Sequence, residues 1–271
     1  MEFQKYHGTG NDFILIHEIP NNPNQLAKSI CDRHFGIGAD GLIYASPSQI
    51  ADIKFNYYNS DGSIAPMCGN GMRCFVKYLK DNDLIAKNEF MVETLAGLVS
   101  VCYNTETKHI KIGLGQPKFD LDTPDVNPPI KSLEEQSIAY EGQIIRFYVV
   151  NLGTLHTIVF VNDSIDINQI GPYLSSIPLF PNLSNINFVE IVDQNILKVT
   201  TYERGAGWTL SCGTGVSASA VVSYQLKKTK QDVNIIVPGG KLKVYVQKQV
   251  FLEGPAVRIA TGDYEVSNEK I

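Results

Sequence analysis

The sequence contains an internal repeat that places two cysteine motifs in register. The nineteen residues that end at Gly71 align without a gap with the nineteen that end at Gly215, and the alignment pairs Cys68 with Cys212. Each cysteine is followed by a glycine turn between two strand-like runs: Gly97 lies 29 residues after Cys68, and Gly240 lies 28 residues after Cys212. A unit of about 145 residues therefore occurs twice, and such a repeat predicts two domains built on one plan.

Each cysteine motif stands between a strand-like run and a helical pattern. Met72, Phe75, Val76 and Leu79 have the spacing of one apolar helix face, and apolar residues recur similarly after the second motif. Both cysteines are therefore expected at the N-termini of helices.

Short alternating strands, separated by turns rich in Pro and Gly, make up much of the remaining chain. We predict an α+β fold with two pseudo-symmetric domains, each a curved, mostly antiparallel, barrel-like β-sheet around a central helix. The predicted first domain consists of residues 1–116 and 262–271 and carries Cys68. The predicted second domain consists of residues 117–261 and carries Cys212.

Charge and hydropathy exclude several classes of partner. The chain of 271 residues has 23 Lys and Arg against 28 Asp and Glu, a formal net charge of −5, and lacks the basic excess typical of nucleic-acid binding. No apolar run approaches the roughly 20 residues that cross a membrane, and the first residues lack the apolar core of a signal peptide. We expect a cytoplasmic protein with no nucleic-acid or membrane partner.

The five cysteines are an odd number and show no CxxC and no zinc-type spacing. We therefore expect reduced thiols and no metal site. Cys31, Cys74 and Cys102 are assigned to packing, because a free cysteine usually behaves as a small buried hydrophobe.

A cysteine at a helix N-terminus is suited to acid–base chemistry. Unpaired N–H groups and the helix dipole favour an anion there, and the same field stabilises a thiolate. Two such cysteines can flank one carbon, so that a thiolate removes a proton from one face while a thiol returns one to the other. An α-amino acid substrate could place its carboxylate between the two helix N-termini, and no cofactor is then required.

Five motifs resemble the diaminopimelate epimerase family, and the similarity runs from Phe3 to about Gly262. They are HGTGNDF at 7–13, DRHFGIGADGL at 32–42, MCGNGMRC at 67–74, YERGAG at 202–207 and SCGTG at 211–215. The resemblance implies a cofactor-independent epimerase that interconverts LL- and meso-diaminopimelate in bacterial lysine and peptidoglycan precursor synthesis. It also implies a homodimer and an active site in the cleft between two similar domains.

The resemblance further implies residue roles. Cys68 and Cys212 match the catalytic pair, and His156 and Glu203 match residues that tune the two thiol pKa values. Matches to substrate-binding positions are Asn11, Asn59, Gly69, Asn70, Thr154, Asn185, Glu203, Arg204, Gly213 and Thr214. Among these, Arg204 is expected to bind the carboxylate at the stereocentre that does not react, since Arg binds carboxylates in a bidentate manner.

Departures from the family pattern leave two alternatives open. Thr154 and Leu155 stand where Asn and Pro are usual, and Trp208 replaces a Glu. Thr154 and Trp208 make plausible, as a first alternative, a related cofactor-independent amino-acid racemase with a different side-chain specificity, whereas Arg204 and Asn185 are the partners that a distal carboxylate needs. A second alternative is a non-catalytic or redox-responsive small-molecule binding module in which the two cysteines form a disulfide.

Overall fold

The computed structural model describes residues 1–161 and 165–265, and these form two compact units. The first unit consists of Met1–Ile112 together with the segment that begins at Gly254, and the second consists of Gly113–Glu253. Among the described residues, no helix is both long enough and apolar enough to cross a membrane.

Strands predominate along the chain, and the helices lie between them. In chain order the elements are β1 (Glu2–Gly8), β2 (Asn11–Ile16), α1 (Pro23–Ile30), β3 (Gly41–Ser46), β4 (Ile53–Asn59), α2 (Gly69–Asp81), β5 (Glu89–Thr94), β6 (Gly97–Tyr103), β7 (Ile110–Gly115), β8 (Gln136–Tyr140), β9 (Gln143–Leu152), β10 (Thr154–Phe160), α3 (Ile167–Ser175), β11 (Asn185–Asp193), β12 (Ile196–Glu203), β13 (Gly207–Thr209), α4 (Gly213–Gln225), β14 (Asp232–Val237), β15 (Gly240–Val246), β16 (Val250–Gly254) and β17 (Val257–Asp263).

The two units repeat one strand topology. In the first, β1 to β7 pair successively, with parallel pairs only at β2–β3 and β4–β5. In the second, β9 to β12 and then β14 to β16 pair in the same succession, with parallel pairs only at β10–β11 and β12–β14. A helix occupies each parallel crossover, as is usual for parallel pairs. The duplication predicted from the cysteine motifs is thus present in the fold, and the predicted fold class is confirmed.

Strands of its own unit surround each central helix. Helix α2 contacts β1, β2, β3, β4, β6 and β17, and α4 contacts β9, β10, β11, β12 and β15. Both helices are therefore buried over most of their length rather than along one stripe. In α4 the hydroxyls of Ser217 and Ser219 donate to the carbonyls of Gly213 and Gly215, at 2.9 and 2.8 Å, which satisfies these buried polar groups inside the helix.

The chain returns to the first unit through β17. This strand pairs antiparallel with β1, from Glu2 opposite Asp263 to His7 opposite Val257. The sequence interpretation assigned residues 117–261 to the second domain, whereas this pairing places residues 257–261 with the first unit.

Gly215, in the first turn of α4, packs so closely that only glycine fits. A Cβ there would lie 2.2 Å from Asn187 Oδ1, and Asn187 cannot retreat because it is fully buried and hydrogen-bonded. At the repeat-related Gly71, a Cβ would lie 3.2 Å from the flexible end of Ile43.

We predict that Gly215→Ala lowers the free energy of unfolding by about 1–3 kcal/mol, as overpacking commonly does, and that Gly71→Ala costs less. Urea unfolding is followed by the fluorescence of Trp208, the sole tryptophan of the chain, for the second unit and by far-UV circular dichroism for the whole chain, so that both variants are measured. An equal loss in both variants would contradict the packing difference.

Candidate active site

Cys68 is the N-cap residue of α2 and is half-buried. Its backbone is extended, with φ −140° and ψ 122°, and its Sγ accepts a hydrogen bond from the N–H of Gly71 at 3.4 Å. The thiol also donates to Asn11 Oδ1 at 3.8 Å. The predicted helix N-terminus thus lies at Cys68, with a carbonyl-type acceptor beside the sulfur.

The amide of Asn11 has a defined orientation. Its Nδ2 donates to Asp40, whose carboxylate can only accept, so Oδ1 must face Cys68. Asn70 Nδ2 donates to the same Oδ1 at 3.3 Å. The structure therefore brings Asn11, Asn70 and Cys68 together by hydrogen bonds.

An ion cluster lies behind Asn11. Arg33 contacts Asp12 at 2.7 Å and Asp40 at 2.8 Å, and Lys5 contacts Asp12 at 3.0 Å. Burial raises the pKa of Asp12, but hydrogen bonds from Arg33 and Lys5 outweigh this and hold it below its ordinary value. The cluster keeps both carboxylates in place as acceptors, which fixes the position of Asn11.

Asn59 is the last residue of β4, and its side chain bonds within this strand and the turn that follows. Its Oδ1 accepts from the hydroxyl of Tyr57 at 2.8 Å and its Nδ2 donates to Ser63 at 2.9 Å. These local bonds use both ends of the amide, as expected for Asn in a turn.

Cys212 is the N-cap residue of α4 and is buried. Its backbone is extended, with φ −112° and ψ 109°, and its Sγ lies 3.6 Å from Thr214 Oγ1. Burial and then the negative charge of Glu203 raise the pKa of the Cys212 thiol well above its ordinary value. The helix N-terminus, which by itself favours a thiolate, does not compensate for this loss of solvent.

The turn that carries Glu203 and Arg204 is fixed by two hydrogen bonds. Glu203 accepts from Thr209 Oγ1 at 2.6 Å, and Asn185 Oδ1 accepts from the backbone N–H of Arg204 at 3.0 Å. The exposed guanidinium of Arg204 donates only to the carbonyl of Asn182, at 3.2 Å, among the described residues. Its charge is therefore accessible to a carboxylate ligand.

His156 is fully buried and neutral. Its Nδ1 lies 3.3 Å from Asn187 Nδ2, which also donates to the carbonyl of Thr157 at 3.2 Å, so Nδ1 is the acceptor. The proton is therefore on Nε2, which donates to Thr154 Oγ1 at 3.0 Å. Burial, and then the charge of Arg204, lower the pKa of His156 to about 3.

Trp208 covers part of α3 and is 38% exposed. A Cβ on Gly171 would lie 3.0 Å from its indole, and its ring packs edge to face on Tyr202 at 5.4 Å. Where the family pattern suggests a charged Glu, this chain therefore has an aromatic side chain packed on β12 and α3.

Sequence reasoning assigned no role to four residues that support these groups. They are Arg33 and Asp40 behind Asn11, Arg73 on α2, and Asn187 beside His156. Arg33 and Asp40 lie in the motif at 32–42 and Arg73 in that at 67–74, and this is the signal that could have identified them. Asn187 lies two residues after Asn185 in β11, which puts both side chains on one face of the strand. Among the other cysteines, Cys31 and Cys74 are buried as predicted, whereas Cys102 is half-exposed.

Among the described residues, no group of three or more His, Cys, Asp and Glu side chains is arranged to hold a metal ion.

Comparison with known sequences gives one consistent result. Residues 3–119 and 148–265 match the family model of diaminopimelate epimerase. The diaminopimelate epimerase of Carboxydothermus hydrogenoformans is 41% identical over 97% of this chain and 99% of its own. That of Caldanaerobacter subterraneus is 39% identical over 98% of this chain and its full length.

Solved structures share the fold at low identity. A phenazine biosynthesis protein of the PhzF family from Bacillus anthracis has a TM-score of 0.71 at 16% identity, covering 98% of this chain and 99% of that one. A hydroxyproline epimerase from Agrobacterium vitis has a TM-score of 0.70 at 16% identity, covering 97% and 91%.

The buried His156 predicts a pH-dependent stability. Its pKa of about 3 in the folded protein lies below the ordinary value of about 6.5, so between these values the unfolded chain binds a proton that the folded chain excludes. Stability therefore falls as pH decreases through this window, by up to about 1.4 kcal/mol per pH unit.

Urea unfolding followed by Trp208 fluorescence between pH 7 and pH 5 measures this slope. His156→Gln should flatten it, whereas His17→Gln, at an exposed position, should leave it unchanged. A slope that survives in His156→Gln would assign it to other groups.

Proposed function

Because the chain belongs to the diaminopimelate epimerase family, we propose that it interconverts LL- and meso-diaminopimelate without a cofactor, using Cys68 and Cys212 as paired acid and base. The observation that carries this proposal is that the two cysteines are the N-cap residues of the two repeat-related, buried helices. The pathway is the formation of lysine and peptidoglycan precursors.

The proposed reaction needs one thiolate and one thiol. The thiolate takes the proton from Cα and becomes a thiol, and the electron pair left on carbon is delocalised into the substrate carboxylate. The second thiol then gives its proton to the opposite face of Cα and becomes a thiolate. Backbone N–H groups of Gly69, Asn70, Gly213 and Thr214 are proposed to hold this carboxylate, because helix N-termini stabilise the charge that develops on it.

The surroundings of Cys212 support its role as the acid. Burial and Glu203 raise its pKa, which keeps the proton on the sulfur until it is transferred. His156 contributes as a neutral group that donates to Thr154 and thereby turns the Thr154 hydroxyl hydrogen toward other acceptors. We propose that Glu203 and His156 adjust the acid–base properties of this side of the site.

Arg204 is the proposed partner of the distal carboxylate of diaminopimelate. It is exposed, and Asn185 holds its backbone. Asn11, Asn59, Thr154, Asn185 and Glu203 complete the proposed substrate contacts.

The family also underlies the proposal of a homodimer in the cytoplasm. The chemistry requires reduced thiols, which persist in that compartment, and none of the five cysteines, all of which the structure describes, forms a disulfide. Light scattering of the purified protein tests the dimer.

Thr154 and Trp208 support a second candidate, an amino-acid racemase on the same scaffold with a different side-chain specificity. Trp208 stands in β13, which pairs with the strand that ends at Glu203, and puts an apolar side chain where the family pattern has a charged one.

The two-base reaction predicts that Cys68→Ala and Cys212→Ala each abolish epimerisation. Either variant leaves one face of Cα without a proton donor or acceptor. Reaction in deuterated water, with NMR for deuterium at Cα and chiral chromatography for the product, measures exchange and inversion separately. Cys102→Ala, a half-exposed cysteine outside the site, is the matched control and should remain active.

Inversion by either single variant would exclude the two-base scheme. A panel of amino acids in the same assay separates the candidates, because the racemase would invert another amino acid faster than diaminopimelate. Binding without deuterium incorporation would identify a binding module instead.

Loss of the Arg204 charge should weaken substrate binding. We predict that Arg204→Met raises KM for diaminopimelate about tenfold or more, as expected for a hydrogen bond between charged groups, and that Arg204→Lys raises it less. Arg146→Met removes an exposed, Glu135-paired charge from the same unit and should not change KM. Equal KM values for Arg204→Met and the unsubstituted protein would remove Arg204 from substrate binding.

A further inference from the structure

Arg73 is a fully buried cation whose hydrogen-bond acceptors are all neutral. It is the fifth residue of α2 and donates to Asn70 Oδ1 at 2.9 Å, Thr9 Oγ1 at 3.1 Å and the carbonyl of Pro255 at 3.2 Å. A longer contact of 3.5 Å reaches the carbonyl of Gly69. Among the described residues, no carboxylate forms an ion pair with it.

This position is unfavourable for a cation in two respects. Burial without a counter-charge is costly, and the N-terminal turns of a helix already carry positive potential. Burial lowers the pKa of Arg73 to about 10, and the guanidinium is still protonated at pH 7. An anion nearby would offset both costs.

The ionisable groups around this helix leave one acid suited to that role. Asp12 and Asp40 are engaged by Lys5 and Arg33, Asp81 is paired with Lys77 on the same helix, and Arg258 on β17 is itself a cation. Cys74 is fully buried and burial raises its pKa, which keeps it a thiol. Cys68 caps the helix, accepts the Gly71 N–H and is coupled to Arg73 by charge attraction.

The repeat shows that this charge belongs to one unit only. The gap-free alignment places Ser217 at the position of Arg73, and Glu203 at the position of Asn59. Ser217 donates to the carbonyl of Gly213, as Arg73 does to the repeat-related carbonyl of Gly69. Cys68 therefore has a buried cation where Cys212 has a neutral hydroxyl, and Cys212 has a carboxylate where Cys68 has an amide.

We propose that Arg73 is a positioning residue that makes the two thiols unequal: its buried charge stabilises the thiolate of Cys68, so that Cys68 is the thiolate and Cys212 the thiol of the active pair. Its hydrogen bond to Asn70 Oδ1 also orients Asn70 Nδ2 toward Asn11 Oδ1. The Cys68 thiol donates to that same oxygen, so ionisation of Cys68 gives up this 3.8 Å contact and leaves Asn70 as the donor to Asn11 Oδ1. The inference rests on the proposed function for the use of this thiolate, but the inequality of the thiols is a property of the chain alone.

The experiment measures alkylation of each cysteine by iodoacetamide between pH 5 and pH 10, with the modified peptides quantified by mass spectrometry. The midpoint of each rate–pH curve reports ionisation of that thiol independently of its exposure. The unsubstituted protein should show a lower midpoint for Cys68 than for Cys212. Arg73→Met should slow alkylation of Cys68 at pH 7 at least about tenfold, equivalent to a shift of one pH unit, and leave the Cys212 midpoint unchanged.

Three further variants separate charge from structure. Arg73→Lys keeps the charge and should restore most of the Cys68 reactivity. Ser217→Ala, at the repeat-related position, should leave both midpoints unchanged, and Glu203→Gln should lower the midpoint of Cys212 only. Arg73→Met should also lower kcat with little change in KM, because the guanidinium is buried away from solvent.

Asn70→Asp provides a test that does not depend on the folding of Arg73→Met. It places a carboxylate 2.9 Å from the guanidinium, which neutralises that charge, so it should raise the alkylation midpoint of Cys68. An unchanged Cys68 midpoint in Arg73→Met, or in Asn70→Asp if Arg73→Met does not fold, would overturn the proposal. Because alkylation needs no turnover, a shifted midpoint in a protein inactive toward diaminopimelate would refute the proposed function and leave this inference intact.

Discussion

The burial of a whole helix inside each unit is the constraint on which the rest of the structure depends. Strands surround α2 and α4, and the N–H groups in the first turn of each helix have no partner within the helix itself. Such groups need a nearby acceptor, and a thiol or thiolate at the N-cap can provide one while remaining reactive. The glycines after each cysteine allow neighbouring groups to approach the helix start closely, as Asn187 does at Gly215. Reactivity and stability thus depend on the same few backbone groups.

The two units share one scaffold but differ in the charges around their cysteines. The strand order is common to both units, and so are the N-cap position and extended backbone of Cys68 and Cys212. The charged residues near them are not, since Glu203 raises the pKa of Cys212 and Arg73 has Ser217 as its counterpart. A reaction that takes a proton from one face and returns one to the other requires this combination of similar geometry and opposite proton affinity.

Local pattern and repetition explain what could be predicted from the sequence. Apolar spacing after Gly71 predicted α2, and the repeat carried the same prediction to α4, because both signals depend on neighbours along the chain. The contact of Asp40 with Asn11 and that of Asn187 with His156 join residues 29 and 31 positions apart, and no periodicity encodes them. The raised pKa of Cys212 was equally hidden, because the helix N-terminus and burial act in opposite directions and only the fold determines which is larger.

If the proposed reaction runs in both directions, the pKa difference between Cys68 and Cys212 must stay small. When the proton has crossed from Cys212 to Cα and from Cα to Cys68, the thiolate stands at Cys212, beside Glu203 and without a buried cation. Each unit by which the pKa of Cys212 exceeds that of Cys68 makes the state with the thiolate at Cys212 about tenfold rarer. Thr214 Oγ1 and the N–H of Gly215 partly offset this, because both lower the pKa of Cys212. In the proposed reaction, Thr214 stabilises the thiolate of Cys212 and Arg73 stabilises that of Cys68. The difference between these two effects sets the difference between the two thiol pKa values, and with it the relative rates of the forward and reverse reactions.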